Sequence, residues 1–268
     1  MIVQRGALLV LILWGALAAC APLLDLQADK VDLSSMLRGP SFDALLGYDE
    51  TGRPLLDRLI AGAHVSLLVA LAVVSLSVLL GTVIGTTSAW LGGAIDHLVV
   101  RVIDVFLAFP GILLAIALSG ILGPGIENVV LALTTVGWVG FARLSRAQTL
   151  SLKHREHVLA AVALGAQTPR ILARHVVPLM AAPLIVEATF GVAAVIIAEA
   201  GLSFLGLGVQ PPQASWGSII QSGTQYLLVA PHLVIVPAVA LSSVVLAVNL
   251  LGDQMRDRLD VRRERGSE

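Results

Sequence analysis

The residues able to do chemistry are few, and their spacing excludes most enzymes. A nucleotide-hydrolysing phosphate loop needs Gly-Lys followed by Ser or Thr, because the lysine must reach the phosphates. The two lysines are Lys30, after Asp29, and Lys153, after Leu152, so neither fits. Six histidines are present, at 64, 97, 154, 157, 175 and 232. His154 and His157 would share a face of a helix, but no third ligand stands nearby, so solvated side chains are expected rather than a metal site. No Gly-x-Ser-x-Gly elbow occurs, which leaves a serine hydrolase without support. No catalytic residue and no metal ligand are expected. What remains is a pair of acids, Glu187 and Glu199, inside one apolar run. Twelve residues apart, they are offset by about 120° on an ideal helix. That offset does not suit a proton relay. Each reads either as a hydrogen-bonded structural group or as part of a polar path. Ser203 and Trp216 are further candidates for that path or its gate.

The elements that hold these residues are set by composition. Of 268 residues, 57% are hydrophobic and 13% charged, with mean hydropathy +0.90. Soluble domains carry about 25% charge, so a water-soluble enzyme is excluded, as is disorder. A net charge of -1 and 4% aromatics leave no field and few stacking platforms for nucleic acid. One cysteine precludes an internal disulfide. A lipid bilayer is the expected solvent.

A span needs about 20 mostly apolar residues. Six are expected, at about 6–24, 65–91, 103–122 (with Pro110 inside), 125–142, 180–206 and 227–251. With the N-terminus inside, 13 of the 17 basic residues fall on inner segments, and only Lys30, Arg38, Arg53 and Arg58 fall outside. The positive-inside rule then makes both termini cytoplasmic. The first apolar run also allows a lipoprotein signal, because Leu17-Ala18-Ala19 precedes Cys20; an uncleaved span is the preferred reading.

The inner loop 143–178 is the longest. Its pattern predicts a helix over 151–164 with Leu152, Val158 or Leu159, and Val162 as its apolar positions. Gly165 then serves as a left-handed cap. A second helix follows, with Thr168 as N-cap and Pro169 at its first position, and Pro178 ends it. Ile171, Leu172 and His175 share one side, while Arg170 and Arg174 share another. Such a hairpin either links two spans or docks a cytoplasmic partner. After span five, Pro211-Pro212 predicts a turn and Ser215 a cap for a short helix from Trp216. Trp216 and Tyr226 suit the membrane interface.

Ala160-Ala161, then Gly165, then Pro178 thirteen positions later resembles the EAA coupling loop of bacterial ABC importer permeases. Leu159 stands where that motif has Glu, His175 where it has Ile, and Val177 where it has Leu. The stretches 46–53, 59–67, 104–110 and 249–257 resemble segments of the dipeptide, oligopeptide and nickel branch. So, most specifically, does 198–208 with Pro211-Pro212 and Ser215-Trp216-Gly217. The likeness runs over about 46–260 and is nearest the second-permease (DppC/OppC-like) type.

The resemblance implies an all-α membrane protein with the type-1 ABC permease fold. It divides the chain into a first span (1–24), an external loop (25–61), the permease domain (62–252) and a cytoplasmic tail (253–268). It implies a second permease subunit, cytoplasmic ATPase subunits that bind ATP and Mg, and an extracytoplasmic binding protein. The location implied is the bacterial cytoplasmic membrane. It assigns ATPase coupling to Ala160, Ala161, Gly165, Thr168, Pro169, Arg170, His175 and Pro178, with no cofactor in this chain. Peptides are the expected cargo, with nickel or a nickel chelate as the alternative and an ion-coupled secondary transporter as the other class.

Overall fold

The computed structural model describes residues 2–42 and 44–265, and the regular structure among them is helical apart from an isolated antiparallel bridge between Tyr48 and Pro54. The helices are α1 (Ile2–Cys20), α2 (Leu55–Leu91), α3 (Gly93–Leu107), α4 (Gly111–Leu122), α5 (Ile126–Leu152), α6 (Glu156–Ala163), α7 (Thr168–Ile171), α8 (Ala181–Phe204), α9 (Trp216–Thr224) and α10 (His232–Arg265). Five are long and apolar enough to cross a membrane, and α3 with α4 makes a sixth if the bent pair is one span. The side chains of Arg262, Arg263 and Arg265, counted above as inner charges, lie outside the described residues.

The third expected span is not one kinked helix. It is two helices turned by 87°. Pro110 has no N–H to donate and biases Phe109 away from helical backbone, so α3 ends before it and α4 starts after it. Both pieces lie along α5. Asp96 of α3 pairs with Arg146, with Nε and Nη2 each 2.7 Å from a carboxylate oxygen. Phe106 meets Trp138 edge-on, with centroids 5.7 Å apart. Ala115 of α4 sits in a cluster with Val129 and Leu133.

The bundle closes around α2 and α5. Gly81 and Gly85 of α2 face Trp138, Phe141 and Ala142, and a Cβ on either glycine would collide with α5 backbone. Opposite them, Gly137 leaves room for Ser77. Small residues one turn apart let two spanning helices approach closely, where van der Waals contact replaces the missing hydrophobic drive. α2 has 37 residues, about 55 Å at 1.5 Å per residue, so it tilts or projects beyond a core about 30 Å thick.

α1 runs antiparallel to α2. Ala18 carbonyl oxygen lies 2.8 Å from His64 Nδ1, and Leu11 lines the same groove as Leu71 and Val244. Trp14 meets Trp216 edge-on at 5.2 Å. The start of α1 and the inner end of α10 therefore lie at the same end of the bundle as Arg146.

Candidate coupling hairpin, outer lock and inner cavity

The twelve residues expected to act fall into three separate places. The first is the inner hairpin. α5 runs to Leu152, the chain turns over 153–155, and α6 begins at Glu156. The expected helix over 151–164 is therefore broken, and His154 shares no helical face with His157. The end of α6 is a full Schellman motif. Ala166 N–H donates to Ala161 oxygen at 3.0 Å and Gly165 N–H to Val162 oxygen at 2.9 Å, with Gly165 at φ +78°. Left-handed backbone there favours glycine.

Thr168 is not the N-cap of α7. Gln167 holds that position, and Thr168 and Pro169 are the first two helical residues. Nor does Pro178 end the segment. Helical backbone continues from Thr168 through a π turn at Leu172–Val176 and a 3-10 turn at Val177–Met180 into α8. The wide π turn and the tight turn after it accommodate a proline that lacks an N–H donor.

The hairpin has two faces. Val158, Ala161, Ile171, Val176 and Met180 are buried against Leu152, Val74, Phe141 and Leu184 of the bundle. Leu159, Val162 and Leu164 are exposed, the last at 87%. Val162 therefore departs from the expected inner stripe. Ala160, Gly165, Pro169, Arg170 and Pro178 are exposed, while Thr168 and His175 are half-buried.

The second place is at the other end of α8. Glu199 is buried, and Ser66 of α2 donates to its Oε2 at 2.9 Å while Ser203 donates to its Oε1 at 2.7 Å. Ser203 Oγ in turn accepts from Val209 N–H at 3.2 Å. A second Schellman motif at Gly206 folds the chain back, with Leu207 N–H donating to Leu202 oxygen at 2.9 Å and Gly206 N–H to Ser203 oxygen at 3.0 Å. Ser215 caps α9 with a capping box. Trp216 is fully buried, and its indole N–H donates to Leu59 oxygen at 3.0 Å. The expected place of Trp216 in an interfacial belt is corrected: it is a core side chain at the start of α9, packed against α1 and α2. Gly217 sits so close to Ala200 that any side chain would collide. Ser66 was missed in the sequence because a lone serine in an apolar run has no pattern to flag it.

The outer segment before α2 carries its own buried charges. Asp49 accepts from Arg53 N–H at 2.9 Å, Arg53 Nε at 2.7 Å, Thr51 N–H at 2.8 Å and Arg58 Nη1. Burial alone would raise its pKa. The Arg53 amide bond, the Arg58 charge and the other donors outweigh that and hold it below the ordinary carboxylate value.

The third place is a cavity of about 530 Å³ at the inner end between α5, α8 and α10. Glu187 reaches it, exposed, with no side chain opposite at Gly140 to fill the space: a Cβ there would lie 3.6 Å from Oε1. Glu187 and Glu199 thus occupy different ends and surroundings.

A bundle of membrane-crossing helices with an apolar-tipped hairpin at one end fits a membrane transport subunit. The chain belongs to the family of binding-protein-dependent transport system inner membrane components, whose model matches residues 77–265, and it is a permease subunit of an ABC importer. It is 39% identical over 245 residues to the dipeptide transport system permease protein DppC of Alkalihalophilus pseudofirmus, covering 91% of this chain and 81% of that protein. It is 40% identical over 229 residues to the glutathione transport system permease protein GsiD of Escherichia coli O6:K15:H31 (strain 536 / UPEC), covering 85% and 76%. The fold is shared with a chain of the MetNI methionine ABC transporter in an inward-facing conformation, at TM-score 0.56 and 20% identity over 76% of this chain and 97% of that one.

Proposed function

We propose that the chain forms half of the path of an ATP-driven importer of dipeptides or oligopeptides in a bacterial cytoplasmic membrane. A second permease subunit supplies the other half. An extracytoplasmic binding protein delivers the cargo, and cytoplasmic ATPase subunits hold ATP and Mg. The dipeptide and glutathione permeases among its relatives support this cargo class.

The observation that carries the coupling role is the hairpin's exposed apolar tip, Leu159, Val162 and Leu164, on a hairpin whose other face is fastened to α2, α5 and α8. A short apolar surface of this kind suits a groove on a partner. Ala160, Gly165, Pro169, Arg170 and Pro178 share its exposed side, while Ala161, Thr168 and His175 shape the hairpin beneath. ATP binds better to the closed ATPase dimer and shifts the population toward it. The hairpin moves with its ATPase seat, and α5 and α8 tilt as rigid bodies. At the outer end, the Glu199–Ser66 bond ties α8 to α2 and the Trp216–Leu59 bond ties α9 to α2, so the tilt is passed on to these helices.

The test is co-purification from membranes holding the whole importer. The unsubstituted chain should bring down the ATPase subunits, and Leu164→Asp should lose them while its membrane abundance stays unchanged. ATP-independent uptake by the chain alone, with no ATPase bound, would instead support an ion-coupled transporter.

A further inference from the structure

We infer that the inner cavity between α5, α8 and α10 is a two-ended site for a small zwitterion, with Glu187 receiving the ammonium end and Arg256 the carboxylate end. This rests on the peptide reading above and adds to it a place in this chain where the cargo's two charges are read.

The cavity of about 530 Å³ is walled by Leu144, Val186 and Leu259 and floored by Phe190. Its two full charges are of opposite sign, Glu187 on α8 and Arg256 on α10. They come from different helices, and neither takes part in an ion pair among the described residues. An ionisable side chain in a spanning helix faces protein or water, because lipid would cost several kcal/mol. Glu187 is exposed on this chain, so its surroundings must supply water or a partner charge. Its Oε1 lies beside Gly140 of α5, where a Cβ would stand 3.6 Å away in ordinary contact.

The floor is built as well. Gly252 approaches so closely that a Cβ would lie 2.9 Å from the Phe190 ring, which fixes the separation of α8 and α10 beside the cavity. A carboxylate and a guanidinium that line one apolar-walled cavity without pairing match a molecule with an amine at one end and a carboxylate at the other. Arginine grips a carboxylate through two N–H donors, and the aliphatic wall accepts a side chain without selecting it.

The experiment uses the complete importer in proteoliposomes with its binding protein saturated by cargo, so that differences arise after delivery. Uptake is compared for Ala-Ala, N-acetyl-Ala-Ala and Ala-Ala-amide. The unsubstituted importer should move the free dipeptide about ten times faster than either blocked form, as expected for the loss of about 1.4 kcal/mol of interaction. Glu187→Gln should abolish the preference against the acetylated form and keep the other. Arg256→Gln should do the reverse, and Arg256→Lys, which keeps the charge but loses the two-donor grip, should restore only part of it. Both ratios unchanged, or both altered alike in each variant, would overturn the site while leaving peptide import standing. No uptake of Ala-Ala by the unsubstituted importer would overturn the peptide reading and this inference together.

Discussion

At the residue scale, the sharpest test is Gly165. Open space surrounds it, so a side chain would meet no neighbour; the obstacle is φ +78°. Left-handed backbone costs a β-branched residue more than the 1–2 kcal/mol typical of L-residues, roughly enough to undo the Schellman turn. Gly165→Val should therefore abolish ATP-driven uptake while leaving the chain in the membrane, and Gly165→Asn, which tolerates this backbone, should retain most of it. Glu199 makes a contrasting case. Replacing it by Leu orphans the Ser66 and Ser203 hydroxyls, at about 1–3 kcal/mol for each buried polar group left unpaired. The Tm of the solubilised importer should fall, and Glu199→Gln, which keeps an acceptor, should lower it less. Asp49 fixes the sign of a pH effect. Its folded pKa is lowered, so its contribution is present at neutral pH, complete above the unfolded value of about 3.9, and lost as pH falls through the folded value. Protease resistance of the segment before α2 should hold down to about pH 5 and drop only in stronger acid.

At the element scale, packing depends on glycines that hydropathy does not weigh. Gly81 and Gly85 read as mere small residues within an apolar run, yet they set the distance between α2 and α5. Gly85→Leu should force these helices apart and reduce the amount of assembled importer recovered from membranes, whereas Leu79→Ala on the exposed side of α2 should leave recovery unchanged. The same contrast explains which features were legible. Apolar length located the spans, because the bilayer imposes a minimum run. It could not show that Pro110 separates two helices turned by 87°, because a proline inside an apolar run is compatible with either a kink or a break. The turn at Gly165 and the Ser215 cap were readable from residue type, since both depend on local backbone demands. The cap at Gln167 was not, because Thr168 is the stronger capping residue by propensity and the packing of α7 overrode it. Trp216 was misplaced for a related reason: an indole suits an interface or a core equally, and only Leu59 oxygen and Trp14 decide.

At the scale of the whole molecule, the hairpin and the outer lock are the two ends of α8, and their sidedness determines whether the lever can work. α2 and α5 run the same way, with α3 and α4 returning the chain between them, and the packing places 144–180 and 252–259 at one end, while 199–217 lies at the other. By the positive-inside rule, the positive charge concentrated on the first end is expected to face the cytoplasm. The chain has one cysteine, the exposed Cys20, so a Cys20→Ser background gives a clean reporter. A cysteine placed at the exposed Gln213 should react with a membrane-impermeant thiol reagent in intact cells. A cysteine placed at Leu164, the most exposed apolar residue of the hairpin, should react only after the membrane is opened. The reverse pattern would put the hairpin on the outside, away from any ATPase, and the coupling role would fall with it.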